Sequence, residues 1–371
     1  MQTSFSQPRI LIITPEAAFV PAGLVNRRHC QRTLESGVVA ILSKLVSDLC
    51  EQGVDVHVAQ PDYRRIYVDL VVKKRNLADS KLPADRLHLA EDRVFFYSNP
   101  IHTNNDWQNT EIALDFQREI SHQILPRVQP DLIHCHDWMT GLIPAVAKHR
   151  GIPCLFSAFN FRSAGSLLSK VEDRGIDAAA IWQYLYYDRY PGIYQEIRDS
   201  NPLDFLLSGI LSARHVNTTG ISYLTEASKG QRDAFLGRLM QLLQKRHQTG
   251  SISELPHTCI CPENLRQHHS PTPYTNHDTI DRKGHRPISS LGVGKDSPLL
   301  IQEEAAQWIC KLYEKILARP LVAAAPIIGG EINKNDRQKA INGQRSEGIA
   351  VHGVNSYRFT TRRKTSPATV T

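Results

Sequence analysis

The feature that most constrains the fold is an alternation of short apolar strands and amphipathic helices between residues 9 and 219. Residues 9–14 are an apolar strand, and apolar side chains then recur at three- and four-residue spacing over 38–49, which predicts a helix that ends at Gly53. Residues 55–59 are predicted to form the next strand. Strand, helix and parallel strand form the repeating unit of a sheet that helices cover.

The same alternation continues along the chain after a less regular stretch over 66–110. The predicted elements are a helix through Ala113 and Ile124 that Pro126 breaks, a strand at 132–135, a helix at 140–149, a strand at 154–157, helices at 177–189 and 204–213, and a last strand at 216–219. We therefore predict an α/β fold with one doubly wound, Rossmann-like parallel sheet. Ligands of such sheets bind at the carboxyl ends of the strands.

The pattern changes after about residue 230, where a basic helix runs to Arg246 and closes a predicted domain, 1–246. Residues 247–301 are rich in His and Pro with little periodicity, which predicts an irregular linker. A helix is predicted within 302–320, with one apolar stripe made of Ala305, Trp308, Leu312 and Ile316. Residues 321–371 are predicted to be a mobile basic tail. The second half of the chain is therefore an irregular C-terminal extension.

Charge, cysteine count and hydropathy exclude several classes of protein. The net charge of +7 is concentrated in the tail, around Arg362–Lys364, without the interleaved aromatic residues of a nucleic-acid site. Seven Cys in 371 residues are an odd number, which argues against full disulfide pairing and favours reducing conditions. Apolar runs are too short to cross a membrane, and the N-terminus lacks the pattern of a signal peptide. We expect a cytoplasmic protein that binds neither nucleic acid nor membrane.

Six segments carry a more specific pattern: ILIITPEAAF, EQGVDVHVAQPDYR, QPDLIHCHDWMTGLIPA, GIPCLFSAFN, EDRGIDAAAIWQYLYYDR and NPLDFLLSGILSARHVNT. Together they resemble the ADP-glucose-dependent glycogen and starch synthases of glycosyltransferase family five, which have the two-domain GT-B fold. The turn HDWMTGL after a buried strand is the most specific part of the likeness. The resemblance implies that residues 1–246 are the first, acceptor-side half of a GT-B fold.

The helix near the C-terminus also resembles a part of this family. Its sequence AAQWICKLYEKIL is similar to the last helix of the synthases, which packs back near the first domain. Only residues 247–301 separate it from the end of the first domain, whereas each βαβ unit of a second domain needs about 30 residues. The resemblance therefore implies that the donor-binding domain is largely missing.

The family transfers glucose from ADP-glucose to the 4-hydroxyl at the end of an α-1,4-glucan. A Lys-x-Gly-Gly loop at a helix N-terminus holds the departing diphosphate, where negative charge develops. In this sequence Leu34 takes the position of the Lys, Ser36 takes that of the first Gly, and Gly37 keeps the second. Ser36 and Gly37 are candidates for weak anion binding, although the start of a helix alone also explains them.

A second departure lies in the segment FSAFN, where the family reads FTIHN. Phe159 takes the position of the His that lies beside the transferred glucose, and Asn160 is kept. A phenyl ring can neither donate a hydrogen bond nor titrate, so the sugar contact is lost. The resemblance thus implies that no residue can be named as catalytic.

The turn His136–Asp137–Trp138 is retained, and in the family it lies in the acceptor cleft. Asp137 would bind sugar hydroxyls, and Trp138 would offer an apolar face. An alternative explains both residues structurally, because Asp137 can cap the helix that begins near Thr140 and Trp138 can belong to the core. Both interpretations remain open at the level of the sequence.

Three functional hypotheses follow. The first is an active synthase, and the second is a non-catalytic descendant that binds glucan or an intact synthase. The third is a decayed product without a role. We favour a glucosyltransferase-like protein with impaired catalysis, whose partners are α-1,4-glucan and ADP-glucose, and with an intact synthase or a second copy as a further partner. We predict no cofactor and no metal, since the only zinc-like set lacks the usual C-x₂-C spacing; it comprises His257, Cys259, Cys261, His268, His269 and His277.

Overall fold

The computed structural model describes residues 7–21, 32–34, 37–72, 77–98, 106–159, 161, 163–189, 192–218, 234–254, 298–318 and 321. All of them belong to one compact unit of the chain, Met1–Ala323. Its strands are β1 Arg9–Ile13, β2 Phe19–Val20, β3 Arg32–Leu34, β4 Asp55–Pro61, β5 Leu77–Asp79, β6 Leu87–Ala90, β7 Leu132–His136, β8 Cys154–Ala158, β9 Gly165–Ser166, β10 Tyr186–Tyr187, β11 Leu203–Asp204, β12 His215–Thr218 and β13 Ile252–Glu254.

The helices of the described residues alternate with these strands. They are α1 Gly37–Glu51, α2 Arg64–Val72, α3 Arg93–Phe96, α4 Asp106–Glu119, α5 Leu125–Val128, α6 Ile143–His149, α7 Leu168–Asp173, α8 Ala178–Ile181, α9 Tyr194–Ile197, α10 Phe205–Ser212, α11 Ala234–Gln248 and α12 Pro298–Leu317. No helix in this part of the chain is both long and apolar enough to cross a membrane.

The central sheet has seven strands in the order β13-β12-β8-β7-β1-β4-β6, and every neighbouring pair is parallel. β4 and β6 lie on one side of β1, and the later strands β7, β8, β12 and β13 lie on its other side. The order therefore reverses between β1 and β7, the place where open α/β sheets bind ligands. The predicted α/β class and doubly wound parallel sheet are confirmed.

Helices cover both faces of the sheet because successive strand residues point to opposite sides. In β1, Leu11 and Ile13 lie in one core cluster, and Ile10 and Ile12 lie in the other. We name the side that packs against α4, α6, α10 and α11 the α10 face. The side that packs against α1 and α12 is the α12 face. The C-terminal helix is thus part of the core of this domain.

Two predictions about the middle of the chain are wrong. Pro126 does not break the helix, because a π-helical turn at Ile120–Ile124 precedes it and places it in the first turn of α5. Inside a regular helix a proline clashes with the preceding turn and lacks one hydrogen bond. The wider turn before Pro126 avoids both effects. The predicted helix at 177–189 stops at Ile181, because Tyr186 and Tyr187 pair with β11 in a separate small sheet.

Two strands of the central sheet, β6 and β13, were missing from the prediction. β6, in the stretch interpreted as irregular, pairs with β4 at one edge of the central sheet. β13 pairs with β12 at the opposite edge, so the strand at 215–218 is not the last one. β13 also lies inside the predicted linker 247–301, whose beginning is therefore regular; its residues 255–297 are outside the described part of the chain. Short strands such as these are recognised only through their partners.

Helix α12 confirms the predicted C-terminal helix but starts earlier, at Pro298. Of the predicted apolar stripe, Leu312 and Ile316 are buried and Trp308 is half-buried. Ala306, Ile309 and Tyr313, which were not predicted, are buried as well. In the predicted tail Leu321 is buried, and residues 322–371 lie outside the described residues.

Candidate functional site

The candidate site is at the carboxyl ends of β7 and β8, next to the point where the strand order reverses. His136 is the last residue of β7, and Asp137 follows it. Phe159 follows the last residue of β8. The structure therefore brings His136, Asp137 and Phe159 together where β7 and β8 end. We name this place, at the carboxyl ends of the two central strands, the edge site. Leu34 ends β3 and Gly37 begins α1, whereas Ser36 and Asn160 lie outside the described residues.

Asp137 connects the two strand ends. Its N–H donates to the Ser157 carbonyl at 2.9 Å, and its Oδ1 accepts the N–H of Phe159 at 3.0 Å. Its φ of 58° and ψ of 177° are unfavourable for any residue with a Cβ, at a cost of about 1–3 kcal/mol. These two hydrogen bonds hold the strained conformation. The alternative in which the carboxylate caps the following helix is wrong, because it makes no capping hydrogen bond.

Trp138 lies under the sheet edge rather than at the surface. Its side chain is buried, and its ring is parallel to that of Phe205 on α10, with 6.2 Å between centroids. Gly141, three residues later, lies directly against the backbone of Phe205. This position corresponds to the alternative that placed Trp138 in the core.

His136 is buried, and neither of its ring nitrogens has a hydrogen-bond partner among the described residues. Its ring lies 4.1 Å from that of His134 and 5.9 Å from that of Phe159, between centroids. Burial lowers the pKa of His136 to about 3. The imidazole is therefore neutral near pH 7, and its one N–H and one acceptor nitrogen have no partner among the described residues.

A hydrogen-bonded chain beneath His136 links the sheet to α12. His134 Nδ1 lies 2.5 Å from Tyr313 Oη, and its Nε2 lies 2.7 Å from Ser157 Oγ. The amide of Asn217 on β12 donates to the same Ser157 hydroxyl at 3.3 Å. Burial lowers the pKa of His134 well below its usual range, so this ring is also neutral. The chain positions the strand ends that carry the candidate site.

His134, Ser157, Asn217 and Tyr313 were not predicted as residues of the site. A signal existed for the first of them, since His134 and His136 are two residues apart in an apolar strand and must share a face. Tyr313 gave no such signal, because its contact with His134 spans 179 residues.

Phe159 follows the bend in the backbone that Asp137 stabilises. Its side chain is half-buried and packs against the core cluster of the α12 face. The phenyl ring is therefore held by hydrophobic contact at the carboxyl end of β8.

We expect His136 to make the fold sensitive to acid. Below pH 6.5 the unfolded chain binds a proton at this residue, whereas the folded protein does not until about pH 3. Stability is therefore retained above pH 6.5 and lost as the pH falls, by up to about 1.4 kcal/mol per pH unit. Between pH 6.5 and 4.5 the free energy of unfolding of His136→Phe should fall by roughly 1–3 kcal/mol less than that of the wild type. Urea unfolding at the two pH values measures this difference.

The control for this experiment is His149→Asn, at the exposed end of α6. This variant should keep the acid sensitivity of the wild type. Equal losses in His136→Phe and the wild type would show that folding does not lower the pKa of His136.

Metal binding finds no support in the described part of the chain, where no group of three His, Cys, Asp or Glu side chains could hold an ion. The zinc-like set around His257–Cys261 lies outside the described residues. Cys135 and Cys154 are buried free thiols on adjacent strands, with 3.8 Å between sulfurs.

Comparison with known proteins identifies a family for the sequence of this chain. The sequence model of the family described as starch synthase catalytic domain matches residues 34–245, more than half of the chain. Among solved structures, the catalytic domain of starch synthase IV from Arabidopsis thaliana, bound to ADP and acarbose, is 18% identical, with a TM-score of 0.45. The match covers 67% of this chain and 51% of that one.

A second solved structure in the comparison is the glycosyltransferase SsfS6 from Streptomyces sp. SF2575. It is 16% identical with a TM-score of 0.23, over 48% of this chain and 46% of that one. The chain thus spans about half the length of these structures.

Proposed function

This chain belongs to the family of starch synthase catalytic domains, and from that premise we propose that it binds α-1,4-glucan at the edge formed by β7 and β8, with strongly impaired transfer of glucose from ADP-glucose. The observation that carries the proposal is the pair Asp137 and Phe159. The polar groups of the retained turn are still at the strand ends, and the side chain that would contact the transferred glucose is replaced by a phenyl ring held against the core.

The retained part of the site supports glucan binding. Asp137 offers a carboxylate fixed by its backbone contacts, and the preceding His136 is a buried, neutral imidazole without a partner among the described residues. Such a combination of donor and acceptor groups suits sugar hydroxyls, which both donate and accept. Because the carboxyl ends of the strands line ligand sites in this class of sheet, the location agrees with the chemistry.

The lost part of the site supports impaired transfer. Leu34 cannot neutralise the charge that develops on a departing diphosphate, and Phe159 cannot hydrogen-bond to the glucose. Removal of one such donor typically costs about 10²–10³-fold in rate. The short span between α11 and α12, residues 249–297, further supports a largely missing donor domain.

The transfer assay tests the catalytic half of this proposal. The purified full chain is incubated at high concentration with labelled ADP-glucose and glycogen, next to a heat-denatured sample and an intact synthase. We expect incorporation at least about 10²–10³-fold below the intact enzyme, as the loss of a single donor predicts. Incorporation comparable to the intact enzyme would refute the impairment and require another donor site.

Asp137→Asn tests the binding half. The amide oxygen can still accept the N–H of Phe159, so the turn is retained while the negative charge is removed. Hydrogen bonds to charged groups contribute about 1.5–3 kcal/mol, so the affinity for glucan at this site should fall about tenfold or more. Calorimetric titration with maltoheptaose measures it, and Glu91→Gln, an exposed carboxylate elsewhere, is the control. Unchanged affinity in Asp137→Asn would remove this edge as the glucan site.

The alternative of docking to an intact synthase through the C-terminal helix is less favoured. Ile309, Leu312 and Ile316 are buried against the domain itself, so the apolar stripe of α12 is not available to a second chain.

The free thiols among the described residues agree with a reducing, cytoplasmic compartment, which we include in the proposal.

A further inference from the structure

A cleft of about 180 Å³ lies between α4 and α7, and its lining includes Trp107, Glu111, Ser166, Lys170, Asp173 and Arg174. We propose that this cleft is a second binding site for the α-glucan chain. It is separate from the edge site, because neither Phe159 nor any residue of the turn His136–Trp138 lines it.

Trp107 provides the apolar surface of the cleft. The residue is 55% exposed in the first turn of α4, although most tryptophans bury their large rings. Glu111 lies one helical turn further on and therefore projects on the same side of α4. An exposed indole next to hydrogen-bonding groups suits a sugar ring, which presents C–H groups on its faces and hydroxyls at its rim.

The charges of the cleft favour a neutral ligand. Lys170 pairs with Asp173 at 3.3 Å, and Arg174 pairs with Glu111 and, at 2.9 Å, with Asp115. Each cation therefore has an anionic partner in place. A phosphate group would have to compete with these carboxylates, so a nucleotide is disfavoured. Hydroxyl groups can use the remaining donor and acceptor positions without breaking the pairs.

Hydrogen bonds fix the Arg174 side chain on one side of the cleft. Asp115 is buried and accepts hydrogen bonds from both Arg174 and Arg118, and Arg118 also contacts Asp92 at 2.7 Å. This network joins α4, the end of α7 and the loop before α3. A site whose polar groups are already ordered loses less conformational entropy when a ligand binds.

The size of the cleft favours a polymer. Pockets that enclose a drug-sized ligand have about 300–1,000 Å³, so this one holds only part of a ligand. A glucan chain can place one or two rings against Trp107 while its other rings remain outside the cleft. The choice of an α-1,4-glucan among neutral carbohydrates depends on the proposed function.

The test uses the full chain and maltoheptaose, with the indole N–H signals of its four tryptophans followed by NMR. Trp107→Ala identifies the signal of Trp107 by its disappearance. We expect this signal to shift saturably with maltoheptaose and to keep its response in Asp137→Asn. Retardation in native gels containing glycogen should weaken about five- to tenfold in Trp107→Ala and less in Trp107→Phe, which retains an aromatic face.

Tyr97→Ala is the matched control, because this aromatic side chain is 74% exposed and does not line the cleft. It should bind glycogen like the wild type. Absence of a shift at Trp107, or equal retardation of Trp107→Ala and Tyr97→Ala, would overturn the second site. If the Trp107 signal responds while Asp137→Asn binds normally, the second site stands and the edge site fails, so the two proposals fail separately.

Discussion

Replacing Tyr313 by alanine is expected to destabilise the domain by about 3–5 kcal/mol, the range observed when large aromatic side chains are removed from a core. Tyr313 is fully buried on α12, and its hydroxyl lies 2.5 Å from Nδ1 of His134. The substitution leaves a cavity between α12 and the sheet and also leaves the buried imidazole without this partner. Urea unfolding followed by circular dichroism measures the loss.

Two further variants separate the contributions of Tyr313. Tyr313→Phe keeps the ring and removes only the hydroxyl, so it should cost about 1–3 kcal/mol, the penalty for an unsatisfied buried polar group. Lys311→Ala changes an exposed residue of the same helix and should stay within about 0.5 kcal/mol of the wild type. A Tyr313→Ala protein as stable as Lys311→Ala would mean that α12 is not packed on this domain.

Gly141→Ala is expected to produce a loss of comparable size, about 3 kcal/mol or more, at the upper end of the overpacking range. A Cβ at this position would lie 2.0 Å from the carbonyl oxygen of Phe205. The φ of −65° suits any residue, so the cause is steric contact with backbone and not strain in Gly141. Relief requires α10 to move away from the turn that carries Asp137 and Trp138.

Gly237→Ala is the matched control on the same domain. A Cβ at Gly237 meets no atom within 4 Å, and the residue lies inside α11. Alanine there should stabilise the protein by about 0.5–1 kcal/mol, because glycine loses more backbone entropy on folding. Thermal unfolding of both variants is therefore expected to shift in opposite directions. A neutral result for Gly141→Ala would contradict the close contact between the turn and α10.

The candidate site illustrates which features could be predicted from sequence. The positions of His136 and Asp137 at the end of a strand followed from the apolar run before them and the helix after them. The roles of the side chains did not follow in the same way. Asp137 accepts a hydrogen bond from Phe159, and Trp138 lies parallel to Phe205, because β8 pairs with β7 and α10 packs against the turn that follows β7. These contacts depend on the order of elements in three dimensions.

Local residue patterns were enough to predict the α/β class, five of the seven strands of the central sheet and most of its longer helices. These properties depend on the identity and periodicity of residues that are near one another in the chain. The sequence did not predict that β13 joins the sheet, that α12 places Tyr313 against His134, or that Trp107 borders a cleft with Arg174. Such contacts arise from packing between distant segments, which local spacing does not specify.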